Sequence, residues 1–78
     1  MQQMTERPRF LALRREHGLT SEQVAKEAGL TLAEEYRAEI GGTVAPDVAE
    51  RLLAAFCRLT GKAWTIEETA INKRREDV

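Results

Sequence analysis

Apolar side chains along this chain return every three or four residues, and no alternating run is long enough to make a half-buried strand. Pro8 suits a first helical turn, where the amide it lacks would have no partner, and Phe10, Leu11 and Leu13 then supply an apolar stripe that Gly18 ends. Thr20 with Gln23 three residues on is a capping box, in which a hydroxyl and a side-chain carbonyl exchange hydrogen bonds with each other's amides. It opens a short helix whose buried face is Val24, Ala25 and Ala28, closed by Gly29. Thr31 with Glu34 opens a third helix that stops at Gly41-Gly42. Pro46 or Asp47 opens the fourth, with Val48, Leu52, Ala55, Phe56 and Leu59 at helical spacing up to Gly61. Thr65 with Glu68 opens a fifth, expected to run through Ile71, beyond which the tail either extends the helix or frays. The pattern predicts an all-α bundle of five helices with short connections.

Composition narrows the class further. Seventy-eight residues, 42% apolar and 32% charged, suit one small globular domain rather than a disordered chain. No apolar run reaches the roughly 20 residues of a membrane span, and the first residues lack the apolar stretch of a signal peptide. A single cysteine excludes an internal disulfide framework and fits a cytoplasmic protein. One cysteine with one histidine also makes a tetrahedral zinc site implausible. No Ser/His/Asp set, Cys/His pair or glycine-rich phosphate loop points to an enzyme or to a bound cofactor. The net charge of −1 is unevenly spread: residues 20–50 carry two basic and seven acidic side chains, while each end is net basic. Cys57 reads as a small buried hydrophobe beside Phe56, His17 as a surface residue complementing a helix dipole, and Trp64 as a lid on the core.

Residues 14–61 resemble the DNA-binding domain of the Cro/CI-type, or XRE-like, helix-turn-helix regulators. The run from Leu19 to Thr31 is similar to that family's second helix and turn, with Val24-Ala25 in place of its packed pair and Gly29 at the turn. The family commonly pairs an arginine of helix one with a glutamate just before the glycine ending helix three; Arg14 and Glu39 stand 25 positions apart at that interval. Pro46, the Leu/Ala-rich helix after it and the Leu59-Thr60-Gly61 stop are similar to its fourth helix, one residue longer at Leu59. The resemblance implies a five-helix lambda-repressor-like domain over residues 1–78, with an N-terminal arm at 1–8 and a charged tail at 72–78. It further implies a sequence-specific transcriptional regulator that binds double-stranded operator DNA as a homodimer. Short regulators of this kind usually dimerise through the last helix, where Ile66, Ala70 and Ile71 form a narrow apolar strip, although the core needs some of the same residues.

The positions that would meet DNA depart from the family pattern. Helix three, residues 31–40, would enter the major groove with Leu32, Ala33, Glu34, Tyr36 and Arg37. Of these, only Arg37 is a strong partner for guanine or phosphate, whereas Leu32 and Ala33 can touch a thymine methyl and Glu34 can accept from cytosine. Ser21 stands where the family often has a phosphate-holding glutamine, and Thr43 lies in a loop that often carries Lys or Arg. Arg7, Arg9, Arg15 and Lys26 are the expected backbone contacts, with Arg7 and Arg9 on an arm able to enter a minor groove. A family isoleucine falls on Glu35, and the stripe Leu32, Tyr36, Ile40 is displaced from the family frame. Either helix three is rotated so that Tyr36 is buried and Leu32 faces the core, or these side chains form an exposed apolar patch. The second possibility, together with the acidic middle of the chain, supports an alternative function: a protein-interaction module of the same fold with little affinity for DNA.

Overall fold

The computed structural model describes the backbone of residues 9–75 and the side chains of residues 10–75. Arg7, the rest of the expected arm and the side chain of Arg9 lie outside the described residues. Among the described residues five helices follow one another: α1 (Arg9–Glu16), α2 (Ser21–Ala28), α3 (Leu32–Glu39), α4 (Pro46–Thr60) and α5 (Ile66–Thr69). Three of them start at a threonine for the same reason. The hydroxyls of Thr20, Thr31 and Thr65 accept from the amides of Gln23, Glu34 and Glu68 at 3.0, 3.1 and 3.1 Å. The side chains of Gln23, Glu34 and Glu68 in turn accept from the threonine amides at 2.7, 2.9 and 3.0 Å. Each box satisfies amides that the first turn of a helix leaves without partners.

The core lies between α4 and the shorter helices packed around it. Its members are Phe10, Val24, Ala28, Ala38, Val44, Ala49, Leu52, Ala55, Phe56 and Ile71. Alanines at four of these positions let helix axes approach closely, and the two phenylalanines fill the remaining volume edge to face, with ring centroids 5.2 Å apart. Trp64 covers this cluster, its centroid 5.4 Å from Phe56 and its indole N–H donating to Thr60 Oγ1 at 2.9 Å. His17 is not the surface residue that its place at a helix end suggested. Its ring sits 5.6 Å from both Phe56 and Trp64, with Nδ1 2.9 Å from the Leu13 carbonyl, because the chain turns at Gly18 and leaves His17 facing the aromatic cluster. No helix among the described residues is long and apolar enough to cross a membrane.

The end of the chain differs most from expectation. Helix α5 stops at Thr69 rather than continuing through Ile71. The buried Thr69 hydroxyl bonds back to the carbonyls of Thr65 and Ile66, both at 3.1 Å, and Ala70 takes a left-handed conformation with φ 57°. That turn drops Ile71 into the core, where it is 3% exposed. The tail then runs extended against the loop between α3 and α4: the Val44 amide donates to the Asn72 carbonyl at 3.0 Å and the Arg74 amide to the Val44 carbonyl at 2.7 Å. The residues proposed as a dimer strip are therefore not one exposed helical face. Ile71 is buried, Ile66 is half-buried against the core, and Ala70 is the exposed turn. Burying the isoleucine outweighs two more residues of helix, since a fully buried branched side chain is worth roughly 1.5–3 kcal/mol. Ile71→Ala is expected to destabilise the domain by about 2–4 kcal/mol in urea denaturation, and a charge at this position to unfold it rather than dissociate a dimer. A midpoint unchanged by Ile71→Ala would contradict the anchoring role.

Candidate nucleic-acid interface

Helices α2 and α3 are joined by three residues. Gly29 takes a left-handed conformation at φ 71°, and the Leu30 amide then donates to the Ala25 carbonyl at 2.9 Å, so the chain reverses within one turn and Thr31 can cap α3. Helix α3 turns Glu35, Ala38 and Glu39 inward. Leu32, Tyr36 and Ile40 point outward with relative exposures of 47%, 54% and 54%. Of the two arrangements that the sequence left open, the structure has the exposed apolar stripe. The rotation that would bury Tyr36 does not occur, because Glu35 and Glu39 occupy the inner face instead.

The inner face is held by charge. Arg14 of α1 grips Glu39 bidentately, Nε to Oε2 at 2.8 Å and a terminal nitrogen to Oε1 at 3.2 Å. Its other terminal nitrogen donates to the Leu19 carbonyl at 2.7 Å, and the Ser21 hydroxyl donates to Glu39 Oε2 at 2.8 Å. Helix one, the start of helix two and the end of helix three thus meet on one fully buried carboxylate. Burial alone would raise the pKa of Glu39. Hydrogen bonds from Glu35, Arg14 and Ser21, with the charge of Arg14, outweigh it and hold Glu39 below the ordinary carboxylate value.

Glu35 has the opposite fate. It is fully buried, and neither of its oxygens meets a donor among the described residues. The polar group that bears on it most is the Glu39 carboxylate, another acceptor, so a hydrogen bond between them requires a proton on Glu35. Burial first, then that shared proton and repulsion from Glu39, push the Glu35 carboxyl up to about 9. At neutral pH Glu35 is a neutral acid and Glu39 the charged partner of Arg14.

The other residues singled out in the sequence fall at several places around α3. Ser21, Leu32, Ala33 and Tyr36, with Glu22, line an open groove of about 500 Å³ between α2 and α3. The Ser21 hydroxyl proton is engaged on Glu39. Arg37 lies along the loop after α3, its Nε donating to the Thr43 carbonyl at 2.9 Å. Arg15 and Lys26 are exposed on α1 and α2. A second depression of about 250 Å³ is lined by Glu34, Arg37, Thr43, Val44, Ala45, Val48 and Arg74. Sequence reading did not bring Arg74 to this loop, and nothing local signals it; the pairing of the tail with Val44 does so. It also did not foresee the pair between Arg58 and Glu27, 2.7 Å apart, which ties α4 to the end of α2. Among the described residues no group of three His, Cys, Asp or Glu could hold a metal ion. No protein-family model matches the chain, and neither the curated proteins nor the solved structures gave a match.

Two measurements probe this inner face. Removing Arg14 or Glu39 alone is expected to cost on the order of 3 kcal/mol by stranding the other charge, and removing both less than the sum. A double-mutant cycle without coupling would count against the clamp. The second measurement is pH dependence. Because the folded pKa of Glu35 lies above its unfolded value of 4.5, the native state retains a proton that the unfolded chain releases. Stability is then expected to fall as pH rises from about 4.5 toward 9. The lowered pKa of Glu39 adds a separate loss below 4.5 as its carboxylate is protonated. Glu35→Leu should remove the upper slope and raise stability at pH 8. Wild-type urea midpoints that are equal at pH 5, 7 and 9 would overturn the assignment.

Proposed function

We propose that this chain is a small helix-turn-helix regulator of the Cro/CI kind, with a lambda-repressor-like fold, that binds double-stranded operator DNA through α3. The observation that carries this reading is the division of α3 into two faces. One face is clamped to α1 and α2 through Glu39, while Leu32, Ala33, Glu34, Tyr36 and Arg37 are all left open to solvent. An eight-residue helix is about 12 Å long, a fit to a major groove about 12 Å wide. Leu32 and Ala33 suit thymine methyl groups, and Glu34 suits the amino group of cytosine. Arg15, Lys26 and Thr43 flank that face as phosphate partners. A homodimer completes the reading, because one short helix contacts few base pairs and a second copy doubles the contact. Its role is gene regulation in the cytoplasm, with no cofactor and no catalysis.

A second reading is favoured by one specific observation. Leu32, Tyr36 and Ile40 form an exposed stripe, and two of them border the groove shared with α2, in the acidic part of the chain. Such a face suits a protein partner better than a phosphate surface.

Titration of random-sequence duplex DNA across a salt series separates the two. DNA binding predicts a log–log slope near −0.9 per phosphate neutralised, with ~3–5 phosphates per protomer. Leu32→Glu places charge on the exposed face without touching the core and should weaken binding at least ~10-fold by repulsion from the backbone. Glu34→Gln keeps a capping side chain of the type that Gln23 provides in α2, removes a negative charge and should strengthen nonspecific binding. Absence of wild-type binding at low salt would remove the DNA reading and leave the protein-partner reading.

A further inference from the structure

The basic residues Lys73, Arg74 and Arg75 lie far in sequence from the loop between α3 and α4, a loop with no basic residue of its own from Gly41 to Pro46. The fold brings the two together. Ile71 is buried just before the tail, the Asn72 side-chain amide donates to the Gly41 carbonyl at 3.2 Å, and backbone hydrogen bonds join Val44 to Asn72 and Arg74. The tail is thereby held at one register, with Lys73 bridged to Val44. Arg74 then lines the same depression as Arg37 and Thr43.

Arg37 is also held in place. Its Nε donates to the Thr43 carbonyl, and its aliphatic stem lies so close over Gly42 that a Cβ there would come within 2.9 Å of Arg37 Cγ. The absence of a side chain at Gly42 is what lets the arginine lie along the loop. Its two terminal nitrogens make no hydrogen bond among the described residues. Among the described residues Glu34 is the one acidic side chain of the depression, and its carboxylate is turned to the amide and hydroxyl of Thr31 at 2.9 and 3.2 Å. Two guanidinium groups and one carboxylate leave a net positive charge of one, matching the single negative charge of a phosphodiester.

We propose that the anchored tail and the loop after α3 form a phosphodiester clamp, in which Arg37, Arg74 and the Thr43 hydroxyl together hold one backbone phosphate of the DNA lying on α3. The proposal rests on the DNA-binding reading. It assigns Arg37 to the backbone rather than to a base edge, and it makes the tail, through Arg74, a positioning element for α3. Guanidinium forks suit this role because each presents two parallel donors to phosphate oxygens.

The test is binding of two unrelated 20-base-pair duplexes across a salt series by wild type, Arg74→Ala, Arg37→Ala, the double variant and Lys62→Ala. Lys62 lies at the far end of α4, beyond Thr60, and serves as a control for net charge. Arg74 and Arg37 are exposed, and helical circular dichroism verifies that each variant is folded. Expected is a slope shallower by about 0.9 for Arg74→Ala, the loss of one phosphate contact. Arg37→Ala should weaken both duplexes by the same factor, and the double variant should lose little more than either single variant, since both arginines act on one phosphate. Lys62→Ala should leave the slope unchanged, and Arg74→Lys should retain most of it. If wild type binds and Arg74→Ala keeps the full slope, or Lys62→Ala loses as much as Arg74→Ala, the clamp is wrong while the DNA reading stands. If Arg37→Ala weakens one duplex and spares the other, Arg37 reads bases and the clamp is likewise overturned. If wild type binds neither duplex at low salt, the DNA reading falls and takes the clamp with it.

Discussion

Everything on the outer face of this domain depends on how Glu39 is satisfied on the inner one. Its carboxylate is fully buried at the end of α3, where the guanidinium of Arg14 from α1 and the hydroxyl of Ser21 from α2 converge on it beside the carboxyl of Glu35 in α3 itself. A buried charge tolerates little displacement, because each lost partner exposes it to a low-dielectric interior. The rotation of α3 about its axis is set by that requirement. With Glu35 and Glu39 turned in, Leu32, Tyr36 and Ile40 must turn out, and the face offered to a partner follows from the ion pair rather than from the apolar stripe.

Glu35 shows what this arrangement costs. A carboxyl group replaces the aliphatic contact expected in the middle of α3, and it remains buried only as a neutral acid. Burying it without a donor is unfavourable, yet its proton helps to hold the neighbouring carboxylate in its charged form. The two glutamates thus behave as one unit with one proton and one charge, completed by Arg14. Around this polar centre the apolar core is small, and much of its volume comes from Phe10, Phe56 and Leu52, with Trp64 and His17 closing one side. A domain of this size has few other contacts in reserve, so the polar centre and the aromatic lid carry a large share of its order.

The tail illustrates a different economy of design. Helix α5 is only four residues long, and its function in the fold is to redirect the chain. By turning at Ala70 it buries Ile71 and lays Asn72, Lys73 and Arg74 along the loop after α3. That loop lacks charge of its own, and the fold supplies it from some thirty residues away. Basic residues at a chain end are usually solvated and mobile; here a buried side chain on one side and backbone hydrogen bonds on the other hold them beside α3.

The helices and their starts were legible in the sequence because they rest on local chemistry. Thr20, Thr31 and Thr65 with their partners three residues on, Pro46, and the glycines at 29 and 61 act within a single turn, and the structure has helix boundaries where they stand. The resemblance to the helix-turn-helix regulators, through the interval between Arg14 and Glu39, also named two residues that the structure places 2.8 Å apart. What the sequence left undecided was the direction in which α3 faces, since Leu32, Tyr36 and Ile40 at helical spacing are equally consistent with a core face or an exposed one. It also misplaced the end of α5 and left Ile71 shared between a dimer strip and the core. Those outcomes depend on contacts with residues distant in the chain: Glu39 with Arg14 and Ser21, and the tail with Val44. Capping and periodicity are properties of neighbours along the chain, so the sequence by itself determined where helices begin and which residues were available to the core. Burial and pairing are properties of neighbours in space, so only the tertiary structure decided which face α3 shows and where the arginines of the tail come to rest.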